Sequence, residues 1–126
     1  MNVKWKILAF IMAIAAIAAL SLSPALAQKP IVIGCPLATA FLYGWDAERA
    51  IKLAVEEINA AGGVKVGNEK RPFAVEVIDT RDLEPGVPVT EALLGVERLI
   101  LEKKVNYIVG GPVRSEAALA AMPLLS

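Results

Sequence analysis

Residues 31–63, IVIGCPLATAFLYGWDAERAIKLAVEEINAAGG, run from an unbroken apolar stretch through a loop of small residues into a segment with helical periodicity. An apolar stretch without polar alternation suits a strand covered on both faces, which places it in a parallel sheet with helices on either side. The helical segment, 46–59, repeats Ala47, Ala50, Ile51, Ala54 and Ile58 on one stripe, so helix must pack on sheet. Asp46 is expected to cap its start, and Gly62 with Gly63 to end it in a left-handed turn. Glu48 and Lys52 form an exposed i,i+4 pair. In an open parallel sheet, small ligands bind at the loops leaving the carboxyl ends of the strands.

Two more strands are predicted over 73–78 and 106–109. A second helix is predicted over 90–102, with Leu93, Val96, Leu99 and Ile100 inward and Glu97 outward, after a loop held extended by Pro85 and Pro88. A third helix starts at Ser115, a good N-cap, and runs through Met122. The order β-α-β-α-β-α predicts a parallel sheet with right-handed crossovers. Three strands leave an apolar edge open, so residues 28–126 read as the opening part of a longer α/β protein rather than as a complete small domain.

The first 27 residues read as a removable export signal. Lys4 and Lys6 give a positive start, residues 7–20 form an uncharged apolar run of 14, and Ala25-Leu26-Ala27 supplies a small-x-small cleavage site before Gln28. The run falls short of the ~20 residues that cross a bilayer core, which argues against an anchor. Val32-Ile33-Gly34-Cys35 has the residue types of a lipoprotein processing site, but Pro24, Gln28, Lys29 and Pro30 separate it from the apolar run. Cys35 is therefore read as a strand-end core residue.

The whole chain carries 13 basic and 13 acidic side chains; without Lys4 and Lys6 the remainder has 11 against 13. That balance argues against a nucleic-acid surface, which needs clustered Lys and Arg. Lys70-Arg71 and Lys103-Lys104 read as a solvated turn and a helix C-terminus complementing its dipole. One cysteine and no histidine leave no disulfide, no cysteine-based metal cluster, and none of the usual zinc, Ser-His or Cys-His chemistries. No metal or cofactor is expected.

Two loops carry the chemistry that remains. The first, 36–45, holds Thr39, Tyr43, Gly44 and Trp45, with small residues for close approach and aromatics that could pack on an apolar ligand or simply at the helix entry. The other, 110–115, holds Gly110, Gly111, Arg114 and Ser115 and leads into a helix, where free N–H groups and a hydroxyl favour a carboxylate. A tight strand-to-helix turn and a plain cap explain the same glycines and serine equally well.

The segments PLATAFLYGWDAERAIKLAVEEINAAGGV, VEVIDTRD with Glu84-Pro85, and KVNYIVGGPVRSEAALAAMP resemble, in order and spacing, the type I solute-binding proteins of ABC importers. They look most like the branched-chain amino-acid (leucine/isoleucine/valine) branch, and LAVEEIN over 53–59 before the two glycines is the most specific part. The resemblance implies two α/β lobes joined by a hinge, each a parallel three-layer α/β sandwich of the periplasmic binding protein-like type I, with 28–126 as the N-terminal part of lobe one. It implies a non-enzymatic exported protein that captures an amino acid or related solute and delivers it to a membrane permease. It also places Tyr43 near the ligand's side chain and Gly110, Gly111 and Ser115 against its carboxylate and ammonium. The family often has a small or hydroxyl residue before that serine. Here Arg114 stands there, either pointing to solvent or recruiting an additional acidic group. The Asp79-Thr80-Arg81-Asp82 stretch resembles a family D-x-x-D-P turn, and its charges read as turn capping.

Two alternatives stay open. A membrane receptor's ligand-binding domain has the same lobe fold. A Rossmann-type enzyme shares the β-α-β order, although no G-x-G-x-x-G follows either candidate strand.

Overall fold

The apolar run that opens the sheet forms β1 (Ile31–Leu37). After it come α1 (Leu42–Ala60), β2 (Val64–Val66), β3 (Glu69–Arg71), β4 (Phe73–Asp79), α2 (Val89–Leu101), β5 (Tyr107–Ile108), α3 (Ser115–Ala121) and a closing 3₁₀ turn, Met122–Leu124. The computed structural model describes residues 29–125, and the signal expected over 1–27 lies outside the described residues. The mixed α/β order and the parallel sheet agree with the prediction.

β1 is the middle strand, parallel to β4 on one side and to β5 on the other. A middle strand is covered on both faces, and all but one of its residues are buried. It outlasts the predicted 31–34 because Pro36 and Leu37 still pair with Ile78 and Asp79. Proline is tolerated there for a geometric reason. The carbonyls of Val32 and Gly34 bond toward the β5 side, whose pairing ends at Gly34 opposite Ile108, so the N–H that Pro36 lacks has no ladder partner to lose. The β5 edge itself is short, and the Asn106 side chain extends it by accepting the Val32 N–H at 2.9 Å.

Alternation along β1 sends Ile33, Cys35 and Leu37 to one face, where they meet Phe73, Val75 and Val77 of β4 and Ala47, Ile51 and Val55 of α1. The predicted stripe is therefore corrected. α1 lies on the sheet along a single i,i+4 ridge, 47–51–55, and Ala50, Ala54 and Ile58 are exposed. α2 covers the opposite face with Ala92, Val96 and Leu99 fully buried, and burial of a side chain the size of Leu99 contributes roughly 1.5–3 kcal/mol. Gly95 lets α2 approach Ile78, whose Cγ2 would stand 2.8 Å from an added Cβ. Leu93 and Ile100, expected inward, are half-buried, and so is Glu97, expected outward. α3 packs on α2 through Ala117 and Ala121.

Helix boundaries differ from expectation at the start and agree at the end. α1 begins one turn before Asp46, after Phe41 in an extended conformation, so Asp46 lies inside the helix and caps nothing. Its end is as predicted: Gly62 and Gly63 take φ of 94° and 82° and donate to Asn59 O and Ile58 O.

The β2–β3 hairpin is absent from the sequence-based prediction. Val64, Lys65 and Val66 pair with Arg71, Lys70 and Glu69 across a two-residue Gly67-Asn68 turn. That dipeptide between two short runs is the available signal. Lys70 and Arg71, read as a solvated turn, are strand residues instead. Arg71 also donates to the carbonyls of Lys29 and Pro30, tying the hairpin to the approach to β1. No helix among the described residues is long and apolar enough to cross a membrane.

Candidate functional site

Because β1, β4 and β5 are parallel, the loops that follow them emerge at one end of the sheet. After β1 the loop is shorter than predicted, covering only 38–41. Tyr43, Gly44 and Trp45 already belong to the first turn of α1. This early start needs a glycine: an added Cβ at Gly44 would stand 2.2 Å from Ala38 O and 2.3 Å from Ala38 C. The helix thus rests directly on the loop backbone. Neither aromatic is packed into the core. Tyr43 is 72% exposed, and the Arg49 guanidinium lies 3.8 Å over the ring of Trp45 as a cation–π contact.

The loop after β4 is held by its own carboxylates. Asp79 Oδ1 accepts the N–H groups of Thr39 and Arg81, both at 3.1 Å, which joins this loop to the one after β1. Arg81 sits at φ 53° and its guanidinium chelates Glu84 at 3.1 and 2.8 Å. The Arg81 hydrogen bond holds the Glu84 carboxyl below the ordinary glutamate range. Turn capping, the reading drawn from sequence, describes Asp79 well.

Asp82 does something else. Thr80 and Asp82 are buried, the Thr80 hydroxyl donates to Asp82 Oδ1, and Asp82 Oδ2 accepts the Arg114 N–H at 2.6 Å. The carboxylate reaches into the loop after β5. Sequence reasoning missed this residue as a loop-to-loop tie; its only signal was an acidic residue three positions past the end of a strand.

In the loop 110–115 the two glycines differ. Gly110 takes φ 83°, and an added Cβ would meet Leu37 Cδ2 at 2.8 Å, so glycine is required; Gly111 has open space and no such constraint. Ser115 is the first residue of α3, not its N-cap. Arg114 holds the cap position without a side-chain cap bond. The serine is exposed, and neither its hydroxyl nor its N–H has a partner among the described residues; the N–H groups of Gly110, Gly111 and Val113 are likewise unpaired there. Arg114 points back along the protein: Nη1 donates to Val87 O at 3.1 Å and Nε to Glu116 Oε2 at 3.4 Å.

The parallel topology thus puts Tyr43, Gly110, Gly111 and Ser115 in loops and helix starts at the same end of the sheet. Two grooves border this end of the sheet or the β5 edge only in part. One of about 500 Å³ runs along the β5 edge past Ile100, Tyr107 and Leu124 and includes Gly110; another of about 450 Å³ is lined by apolar residues including Ile31, Ile33 and Val66. Neither includes Tyr43 or Ser115. Among the described residues no group of three or more His, Cys, Asp or Glu is arranged to hold a metal ion.

No family model matches the chain, and no curated protein matches it. A solved structure is similar: a candidate branched-chain amino acid ABC transporter from Silicibacter pomeroyi, 28% identical, with a TM-score of 0.54. The match covers 65% of this chain and 19% of the other. This chain therefore corresponds to a minor part of that protein's length.

Proposed function

We propose that the chain is the opening part of lobe one of an exported, non-enzymatic solute-binding protein of an ABC importer. It captures an amino acid, branched-chain foremost, outside the cytoplasm and delivers it to a membrane permease. The observation that carries the reading is the loop 110–115. It sits at the carboxyl end of a parallel sheet, where α/β proteins bind small ligands, and it has several N–H groups and a serine hydroxyl without partners among the described residues. The likeness to a candidate branched-chain amino acid transporter supports the choice of solute. On this reading the N–H groups and Ser115 hold the ligand's carboxylate, and the exposed Tyr43 lies toward its side chain. The apolar leader, cleaved before Gln28, takes the protein out of the cytoplasm.

The test is calorimetric titration of the full protein with leucine, isoleucine, valine and the corresponding amides. Ser115 is not the N-cap, so Ser115→Ala removes the hydroxyl without deleting a cap. Loss of one hydrogen bond to a carboxylate, about 1.5–3 kcal/mol, lowers affinity roughly tenfold to a hundredfold for ligands bearing the α-carboxylate. Equal affinity of wild type and Ser115→Ala for every ligand removes Ser115 from the site. Absence of binding to all three amino acids removes the solute class.

A further inference from the structure

Of the charged side chains among the described residues, Asp82 alone is buried, at 1% exposure. A carboxylate taken out of water must have its oxygens bonded, and here the partners come from two directions. Oδ1 takes the Thr80 hydroxyl, and Thr80 is itself anchored by its N–H to Leu37 O at 2.9 Å. Oδ2 takes the Arg114 N–H at 2.6 Å, a charge-assisted bond to a residue 32 positions away. The result is a continuous path from the end of the central strand, through Thr80 and Asp82, to the loop 110–115. Asp79 shows that a turn here can be capped by an exposed carboxylate, so the turn itself does not call for the burial of Asp82.

We infer that Asp82 is the positioning residue of the ligand loop. By holding the Arg114 N–H it fixes 110–115 in the conformation that leaves the N–H groups of Gly111, Val113 and Ser115 free for a ligand carboxylate. The inference rests on the solute-binding reading above and adds the group that preorganises the site.

Two measurements on the full protein test it: hydrogen exchange of the segment 110–115 without ligand, and calorimetric titration with leucine. Asp82→Ala is expected to speed exchange in that segment while leaving β1 and α1 unchanged, and to weaken leucine binding about tenfold or more. Asp82→Asn can accept the Arg114 N–H through Oδ1 and donate to the Thr80 hydroxyl through Nδ2, so it is expected to restore most of the affinity. If Asp82→Ala does not fold, Arg114 decides. Its φ of −70° suits proline, so Arg114→Pro deletes the donor N–H, whereas Arg114→Ala keeps it, and leucine affinity of the proline variant should fall well below that of the alanine variant.

Faster exchange with wild-type leucine affinity overturns the positioning role and leaves a structural tie. Unchanged exchange overturns the tie itself. Wild-type protein that binds none of leucine, isoleucine and valine overturns the solute reading and the positioning role with it. The exchange data then still report whether Asp82 restrains the loop, so the two failures are distinguishable.

Discussion

Asn59 and Phe73 bond each other twice: the Asn59 carboxamide donates to Phe73 O at 2.9 Å and accepts the Phe73 N–H at 2.8 Å. A side chain near the end of α1 thereby takes the place of a strand beside the first residue of β4. It fixes the helix against the sheet at the point where the hairpin departs. Both backbone groups are partly buried, so the asparagine satisfies a donor and an acceptor that water reaches poorly.

Replacement of Asn59 by alanine removes both bonds and leaves the two Phe73 groups unpaired. A loss of about 1–3 kcal/mol is expected, read as a lower denaturation midpoint with an unchanged slope. Asn59→Asp keeps the acceptor and loses the donor, and should fall between wild type and alanine. Equal stability of wild type and Asn59→Ala would show that the pair contributes nothing net.

Gly44→Ala tests the direct seating of α1 on the loop 38–41. The added methyl would overlap the Ala38 carbonyl, and relief requires the helix start to shift. A destabilisation of about 1–3 kcal/mol is expected, against the gain of a few tenths to 1 kcal/mol that Gly→Ala gives in an open helix. A stabilised variant would refute the close approach.

Lys104 adopts φ 51° just beyond α2, a conformation that glycine takes freely and L-residues other than asparagine, aspartate and histidine rarely take. Lys104→Gly relieves it and should raise stability by roughly 1 kcal/mol in equilibrium unfolding. The neighbouring Lys103 pairs with Glu76 at 3.1 Å and serves as the control, since Lys103→Gly relieves no such conformation. A stability gain for Lys103→Gly equal to that for Lys104→Gly would sink the explanation.

Cys35 is fully enclosed in β1, and burial first, with Glu48 second, pushes its thiol above the ordinary cysteine range. The thiolate is the reactive form, so iodoacetamide at pH 8 should leave the native protein unlabelled and label it fully in denaturant. Because the thiol ionises at higher pH in the folded state than in the unfolded chain, its contribution to stability falls as pH rises past the unfolded value. Rapid labelling of native protein would contradict the core placement.

Local pattern was enough for the three strands of the parallel sheet and the helices between them, for the glycine-terminated end of α1 and for Cys35 as a core residue, because hydrophobic periodicity and left-handed glycines act over a few neighbouring residues; it did not reveal the short β2–β3 hairpin. The same information misplaced the start of α1, since the favourable Asp46 cap was outweighed by packing of Gly44 on Ala38, a contact no propensity encodes. It also widened the buried stripe to Ala50, Ala54 and Ile58, because a sequence does not say how narrow a ridge a sheet will cover. Asp82 illustrates the limit most clearly. As a residue type in a turn it reads as a cap, and only the folding of β1, β4 and β5 side by side brings the Arg114 N–H to its carboxylate across 32 residues of chain. The sequence by itself therefore determined the strands of the parallel sheet and the helices that cover it, though not the hairpin or every boundary. The tertiary structure decided which polar groups would meet, because a hydrogen bond between distant residues depends on how the sheet aligns them and not on the residues that flank either one.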